Sequence, residues 1–255
     1  MLQTLKKHQF LFEELVKRDF KQKYKRTVLG MGWSILSPLL TLLVMALVFT
    51  NLLGRDTPHF IIYLFAGNIV MSFFKESTKG GMNALMANAR IFTKVNVPKY
   101  LFLLSKNVST LVNFGLILGI YFLFVVWDGL PIGPHLLMLL YPIFCLLLFN
   151  IGVGMILSAL YVFFRDTQYL YDVFLVLLTY LSAIFYNVNR FPALIQRLFL
   201  LNPVYCYIRY FRLVTIDGII PSLPYHGLCL LYAALALLAG IWVYRRNNHK
   251  FLYYV

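Results

Sequence analysis

The amino-acid sequence predicts an all-α integral membrane protein with six transmembrane helices, an N-terminal interfacial amphipathic helix, and external re-entrant helices between spans 5 and 6. Of its 255 residues, 61% are hydrophobic and 13% are charged, whereas a soluble domain is about 45–50% apolar and about 25% charged. The mean hydropathy is +0.76, and a single core in water cannot bury so much apolar surface. A soluble globular enzyme, a disordered chain and a disulfide scaffold are therefore excluded. At about 20 residues per span, the length suits about six spans.

Residues 1–29 mix apolar and basic side chains and predict the amphipathic helix. Leu5, Phe12, Leu15, Val16 and Phe20 recur at helical spacing, with lysines and glutamates between them. Such a helix lies in the membrane interface, with its apolar side towards lipid and its basic side on anionic headgroups. A soluble cytoplasmic helix is the alternative interpretation.

Long apolar stretches predict the spans. Trp33 is placed as an interface anchor of the first span. The second apolar run reaches Lys75 after about 15 residues, which is short for a span, so it either continues as a helix past the membrane or sits shallowly. Residues 75–106 carry six basic side chains and are interpreted as a basic loop. The predicted spans are 31–53, 60–75, 108–127, 136–164, 170–186 and 227–244, so that 31–187 holds spans 1–5 and 245–255 is a cytoplasmic tail.

Residues 188–225 differ from the rest of the chain. Short apolar pieces alternate there with arginines and with four prolines, and each piece is too short to cross a bilayer. Re-entrant or interfacial helices are the prediction. A mobile external loop is less consistent with the many Phe, Leu and Tyr residues that it would expose to water.

The distribution of basic residues predicts the orientation. The net charge of +14 would suggest a nucleic-acid partner in a soluble protein, but in a membrane protein it is explained by topology. With six spans, 18 Lys and Arg residues fall on the side that holds both termini and five fall on the opposite side. Both termini are therefore predicted to be cytoplasmic, and no nucleic-acid partner is expected.

The chain lacks the motifs of an enzyme or of a self-powered pump. Gly-Lys never occurs as a dipeptide, so the phosphate-binding loop of nucleotide hydrolases is excluded. The nine acidic residues and the scattered His and Cys residues form no metal-ligand or disulfide pattern. Asp172 is the one acid inside a predicted span, where a salt bridge or helix-end contact is favoured over a proton relay. A passive or externally powered conduit is the best interpretation.

Aromatic residues make up 17% of the chain and cluster in its second half. Aromatic faces stack on sugar rings while Tyr hydroxyls bond sugar hydroxyls, so one hypothesis is a conduit for a sugar polymer. An aromatic belt at the membrane interface is the alternative, and for any single Tyr it is the better supported one. The candidate path residues are Tyr161, Tyr180, Phe185 and Tyr186.

An ordered set of short motifs resembles the type-2 ABC exporter permeases, and more narrowly the exporters of O-antigen, capsule and teichoic acid. Arg18-Asp19-Phe20, Tyr24-Lys25, Leu29-Gly30, Trp33 and Pro38 resemble the N-terminal signature of that family. Residues 88–99 resemble its coupling helix, and Phe164-Arg165-Asp166 resembles its short cytoplasmic turn. Ile184-Phe185-Tyr186 followed by Asn202-Pro203 resembles its external re-entrant segment.

The resemblance implies a multi-pass permease of a bacterial cell membrane, a homodimer bound to two copies of a separate ATPase. ATP and Mg²⁺ would belong to that partner, and this chain would bind no cofactor. The implied substrate is a lipid-linked glycan or polyol-phosphate polymer. Alternatives are an ABC exporter of drugs or small lipids and a polytopic glycosyl- or acyltransferase.

The resemblance also implies three groups of site residues. Those contacting the ATPase would be Arg90, Ile91, Phe92 and Lys94. Those at the membrane interface and lipid headgroup would be Arg18, Lys21, Lys23, Tyr24, Lys25, Arg26 and Trp33. Those gating the external exit would be Phe191, Arg197, Asn202, Pro203 and Arg209.

Overall fold

The computed structural model describes residues 9–23, 29–53, 58–95, 97–252 and 254, and within these ranges the regular secondary structure is entirely helical. Short 3₁₀ turns lie at Gly30–Gly32, Pro134–Leu139, Val188–Arg190 and Lys250–Leu252. The α-helices are α1 (Gln9–Lys23), α2 (Trp33–Leu53), α3 (Phe60–Ala87), α4 (Ala89–Phe92), α5 (Tyr100–Trp127), α6 (Leu140–Phe163), α7 (Thr167–Leu181), α8 (Ala193–Phe199), α9 (Pro203–Thr215) and α10 (Leu223–Asn247).

Four helical segments in the described ranges are long and apolar enough to cross a bilayer: Phe60–Ala87, Tyr100–Trp127, Pro134–Phe163 and Leu223–Asn247. This agrees with the predicted integral membrane class. The apolar part of α2, Trp33–Phe49, is shorter. The 15 residues of α7 extend only about 22 Å, less than the roughly 30 Å hydrocarbon core. The count of six spans therefore stays a prediction.

The second apolar run continues as a helix past Lys75, as one of the two alternatives predicted, whereas the basic loop predicted at residues 75–106 is wrong. Helix α3 continues to Ala87, and α5 already begins at Tyr100. Small and apolar residues of this stretch, such as Gly81 and Leu85, are buried, whereas Lys75 and Lys79 stay partly exposed one helical turn apart. These two lysines thus occupy one edge of α3, whose other sides pack against the protein. The loop was predicted from the number of basic residues alone.

Helix α6 lies between α3 and α10, and two glycines bring it close to both. A Cβ on Gly152 would lie 2.5 Å from the Leu237 backbone nitrogen of α10, and one on Gly81 of α3 would lie 3.1 Å from the Gly154 Cα. Residues two apart in an α-helix point in nearly opposite directions, so Gly152 and Gly154 face the two neighbours. Backbone approach through small residues is a typical way for helices to pack in a membrane.

The segment from 182 to 222 forms two helices of different character. Helix α7 ends at Leu181, before the end of the predicted span at 186, and Ala183 adopts a left-handed backbone with φ of 50°. Helix α8 is largely exposed, while α9 is buried along most of its length. Helix α9 contacts α3, α6, α10 and the 134–139 turn, because its Val, Ile, Tyr and Phe residues cover nearly its whole circumference.

Candidate functional site

Residues 88–95 form an exposed surface at the end of the bundle where α3 finishes. The Asn88 side chain donates a hydrogen bond from Nδ2 to the Ala84 carbonyl at 2.8 Å, which closes the last turn of α3. The chain then makes the single turn of α4. Arg90 and Lys94 are exposed and Ile91 is half-buried, whereas Phe92 is buried.

Phe92 and Lys99 anchor this surface to the rest of the protein. The Phe92 ring packs 6.1 Å from that of Phe102 in α5. The Lys99 ammonium donates to the Asn248 carbonyl at 2.5 Å and lies 5.7 Å over the Phe251 ring. Burial lowers the pKa of the Lys99 ammonium. The segment is thereby joined to α5 and to the C-terminal end of α10.

The predicted ATPase contacts thus divide into two kinds. Arg90 and Lys94 point outwards, and the half-buried Ile91 adds apolar surface. The buried Phe92 faces the cluster beneath, so in this conformation its ring is an anchor and not a contact surface, which corrects the expectation that all four side chains press outwards. The binding role of the exposed residues stays a prediction.

Helix α1 rests on protein along part of its apolar side. Leu15 is buried in the same cluster as Phe92, and α1 lies along α5. The Arg18 guanidinium donates to the partly buried carboxylate of Asp19 at 2.7 Å, while Lys21 is exposed. Within the described residues α1 is a helix with one buried and one exposed side, and its apolar face is shared with α5. Its position in the membrane interface stays a prediction.

The remaining headgroup predictions are only partly accessible. The side chain of Lys23 and the whole of Tyr24, Lys25 and Arg26 lie outside the described residues. Trp33 is 39% exposed and lies at the start of α2, and one side of it lines a cavity between helices. Its role as an interface anchor stays a prediction.

The four predicted path aromatics fall into two places. Tyr180, Phe185 and Tyr186 cluster where α7 ends, since the Tyr186 hydroxyl donates to the Tyr180 carbonyl at 2.8 Å and the Tyr180 and Phe185 rings are 5.9 Å apart. Tyr161 lies before the start of α7, and its hydroxyl donates to Gln168 at 3.2 Å. The length of α7, about 22 Å, separates the two places, so the described part of one chain does not bring these aromatics together in one row.

The predicted gate residues surround the start of α9. Asn202 caps this helix, because its Oδ1 accepts from the Val204 and Tyr205 amides at 3.0 and 3.4 Å. Its Nδ2 donates to the Ser182 hydroxyl at 3.0 Å and so connects α9 to the turn after α7. The five predicted residues are the exposed Phe191 and Arg197, the cap residues Asn202 and Pro203, and Arg209.

Aromatic contacts hold α8 against this turn. The Phe191 and Phe199 rings stack at 6.3 Å, and both meet Tyr186 edge to face. Arg209 is partly exposed, and its guanidinium lies 5.7 Å over the Tyr225 ring. The geometry gathers the predicted gate residues at one end of the bundle, and their gating role stays a prediction.

Arg212 is the central polar residue of this end, and sequence analysis counted it only as an external charge. Its guanidinium is buried and donates to three backbone carbonyls, those of Tyr63 at 3.1 and 3.2 Å, Ala183 at 2.9 Å and Ile184 at 3.0 Å. It also lies 3.4 Å from the centroid of the Tyr63 ring. One side chain therefore joins α3, the turn after α7, and α9. The signal in the sequence was an Arg four residues after Ile208, on the same apolar side of a helix rich in Val, Ile, Tyr and Phe.

A polar cavity of about 130 Å³ adjoins Arg212. Tyr63, Tyr205, Arg209 and Asp217 are among its lining residues, and burial raises the pKa of the Asp217 carboxyl. The cavity presents hydroxyl, guanidinium and carboxyl groups together, a combination suited to binding a hydroxyl-rich ligand. Within the described ranges, no group of three or more His, Cys, Asp or Glu residues is placed to hold a metal ion.

Comparison with known proteins places this architecture in a family. The O-antigen export system permease protein RfbA of Myxococcus xanthus is 29% identical over 191 residues, which are 74% of this chain and 73% of that protein. RfbA of Klebsiella pneumoniae is 25% identical over 250 residues, 95% of each chain. The polysialic acid transport protein KpsM of Escherichia coli is 23% identical over 258 residues, 94% of each chain. Residues 11–215 match the sequence pattern of the ABC-2 type transporters, and this chain belongs to that family.

Proposed function

We propose that this chain is the membrane-spanning permease subunit of an ATP-driven exporter that carries a lipid-linked polysaccharide or polyol-phosphate polymer from the cytoplasm to the outer face of a bacterial cell membrane. The observation that carries the proposal is the near full-length similarity to permeases named for O-antigen export and polysialic acid transport. The missing Gly-Lys dipeptide supports a separate ATPase. Two permeases and two ATPase subunits would form the complex.

The orientation follows from the positions of the basic residues. The end of the bundle that carries α1, α4 and the C-terminal turn holds most of the lysines and arginines, and such an excess marks the cytoplasmic side. The proposal therefore places both termini in the cytoplasm and α8, α9 and the 182–190 turn on the outer side.

The packing supports a route for mechanical coupling. A partner that binds Arg90 and Lys94 would push on α4, which Phe92 and Lys99 join to α5 and α10. Helices α3, α6 and α10 touch through glycine contacts and would move together. At the far end Arg212 ties α3 to α9, so that tilting of α3 would reach the external segment.

Charge reversal tests the partner. In co-purification from the native membrane, Arg90→Glu with Lys94→Glu is expected to reduce capture of the proposed ATPase subunit about tenfold or more, because two cations become anions at a complementary interface. Arg245→Glu is the matched control, because this exposed cation lies near the same end of the bundle on α10. Equal capture by all three proteins would overturn the proposed contact.

Export tests the substrate class. Deleting the gene is expected to abolish the surface polymer, with the lipid-linked precursor accumulating inside, and to leave drug resistance unchanged. Loss of drug resistance with an intact surface polymer would instead identify a drug or small-lipid exporter. Polymer synthesis by the purified chain alone would identify a transferase.

A further inference from the structure

A polar cavity of about 180 Å³ lies among α2, α3 and α5, apart from the predicted aromatic path. Ser34, Ser37 and Thr41 line it from α2. Their spacing of three and four residues puts them on one face of that helix. The other sides of α2 carry exposed apolar residues such as Leu43 and Leu47.

Helix α3 presents a second polar stripe to the same cavity. Asn68, Ser72 and Glu76 line it at intervals of four residues, and they too share one helix face. Asn113 of α5 completes the wall and donates a hydrogen bond to the Glu76 carboxylate at 3.5 Å. Two polar stripes facing each other between apolar helices are typical of a pathway or site for a polar solute, since polar groups on a lipid-facing surface are costly.

The groups of this cavity suit an uncharged sugar. Serine and threonine hydroxyls and the two amides both donate and accept hydrogen bonds, while the carboxylate accepts strongly. Trp33 borders the cavity and offers an aromatic ring to the C–H face of a pyranose. Among the lining residues in the described part of the chain there is one acid and no base, which favours a neutral sugar over an anionic one.

The size and position of the cavity narrow the ligand further. Drug-sized ligands occupy about 300–1,000 Å³, so the smaller volume here suits one monosaccharide unit. Glu76 precedes the cytoplasmic end of α3 by 11 residues, about 16 Å along the helix. Under the proposed orientation the cavity therefore extends from Trp33, at the cytoplasmic start of α2, to the middle of α3 and α5, where Ser72 and Asn113 lie.

We propose that this cavity is a binding subsite for one neutral pyranose unit of the exported polymer, with Glu76 and Asn113 holding sugar hydroxyls and Trp33 stacking on the ring. The inference rests on the proposed function for the identity of the polymer. It assigns one contact of the glycan to α2, α3 and α5, and it predicts a preference for neutral over acidic units at this position.

Saturation-transfer NMR on the detergent-purified, full-length protein tests the subsite directly. The probes are the methyl pyranosides of glucose, mannose and galactose, with the methyl glycoside of N-acetylneuraminic acid as the anionic probe. At least one neutral probe is expected to bind, and Glu76→Gln and Trp33→Leu are each expected to weaken binding about tenfold, the equivalent of one charged hydrogen bond or one stacking contact.

Matched controls separate local from global effects. Trp242→Leu removes an exposed tryptophan on α10, and Asn83→Ala removes an exposed amide further along α3; both are expected to bind the probes like the wild type. If Glu76→Gln does not fold, Thr41→Val removes one lining hydroxyl at almost constant volume and keeps the test available. Stronger binding of the anionic probe, or equal loss in the controls, would overturn the proposal.

Export distinguishes failure of the subsite from failure of the proposed function. In cells, Glu76→Gln is expected to lower the surface polymer while ATPase capture stays unchanged. No probe binding together with normal export would reject the subsite and leave the permease function in place. No surface polymer and no ATPase capture for the wild-type chain would reject the proposed function itself.

Discussion

Replacing Arg212 by Met tests whether one buried guanidinium holds the outer end of the bundle together. In the folded protein it donates to the carbonyls of Tyr63, Ala183 and Ile184 and lies over the Tyr63 ring. Methionine fills similar space and keeps the apolar contacts, but it donates no hydrogen bond. The turn after α7 then loses its principal tie to α9.

The expected cost follows from these contacts. A buried carbonyl that loses its donor costs about 1–3 kcal/mol, and Ala183 and Ile184 each lose one. The contact with Tyr63 adds about 2 kcal/mol for a desolvated cation over a ring. Replacing Arg212 also removes the cost of burying its charge, which is several kcal/mol. The net decrease in the free energy of unfolding is therefore about 2–4 kcal/mol. For a chain of this size, that lowers Tm by roughly 5–15 °C.

Thermal unfolding of the detergent-purified protein, followed by size-exclusion chromatography, measures this shift. Arg209→Gln is the control, because this partly exposed arginine lies three residues away on the same helix and is expected to shift Tm by less than about 2 °C. Gly67→Ala gives an independent perturbation, since its Cβ would lie 2.8 Å from the Arg212 Nη2. Equal Tm values for Arg212→Met and Arg209→Gln would refute the reasoning.

Three further substitutions test other parts of the structure. Gly152→Ala is expected to lower the free energy of unfolding by about 1–3 kcal/mol, because its Cβ meets the α10 backbone. Gly115→Ala is the control, since the space around its Cβ is open, and it is expected to raise the free energy of unfolding by about 0.5–1 kcal/mol. Equal Tm values for the two variants would contradict the glycine contact. Asp172 pairs with Lys79 at 2.6 Å, and both side chains are about half exposed, so a double-mutant cycle is expected to give a coupling energy of only about 0.2–1 kcal/mol. Asp172→Asn is therefore expected to keep export. Loss of export with normal folding would instead support a proton relay. Burial disfavours the charged Lys99 ammonium and lowers its pKa. The stability of the wild type is therefore expected to rise as the pH approaches 10.5, the ordinary pKa of a lysine, and that of Lys99→Met is expected to rise less. Identical pH profiles for the two proteins would contradict this.

Composition and periodicity were sufficient for the class of the protein. Apolar runs longer than about 18 residues identify helices that can cross a bilayer whatever their neighbours are, so α5, α6 and α10 were located to within a few residues except at the start of α5. The salt bridge favoured for Asp172 is confirmed, because Lys79 is its partner. The ordered motifs also identified the family correctly.

The number of basic residues was a poorer guide to where helices end than the apolar pattern was. It assigned the second half of α3 to a loop, since six bases between 75 and 106 outweighed a periodic pattern of small and apolar residues. Glu76 was overlooked for the same reason, although Asn68, Ser72 and Glu76 repeat every four residues. The amides within the long helices also differ in their surroundings. Asn68 and Asn113 line the polar cavity, while the Asn150 side chain is buried and has no hydrogen-bond partner in the described part of the chain.

Local sequence was enough to establish which long apolar segments are helical, because hydrogen bonding within a helix and transfer into lipid depend on the segment itself. It did not establish which side of each helix meets another helix. That Arg212 reaches carbonyls 28 to 149 residues away, that Phe92 turns inwards, and that the polar stripes of α2 and α3 enclose one cavity are consequences of tertiary packing. These features depend on distances between segments far apart in the chain, and only the folded bundle sets those distances.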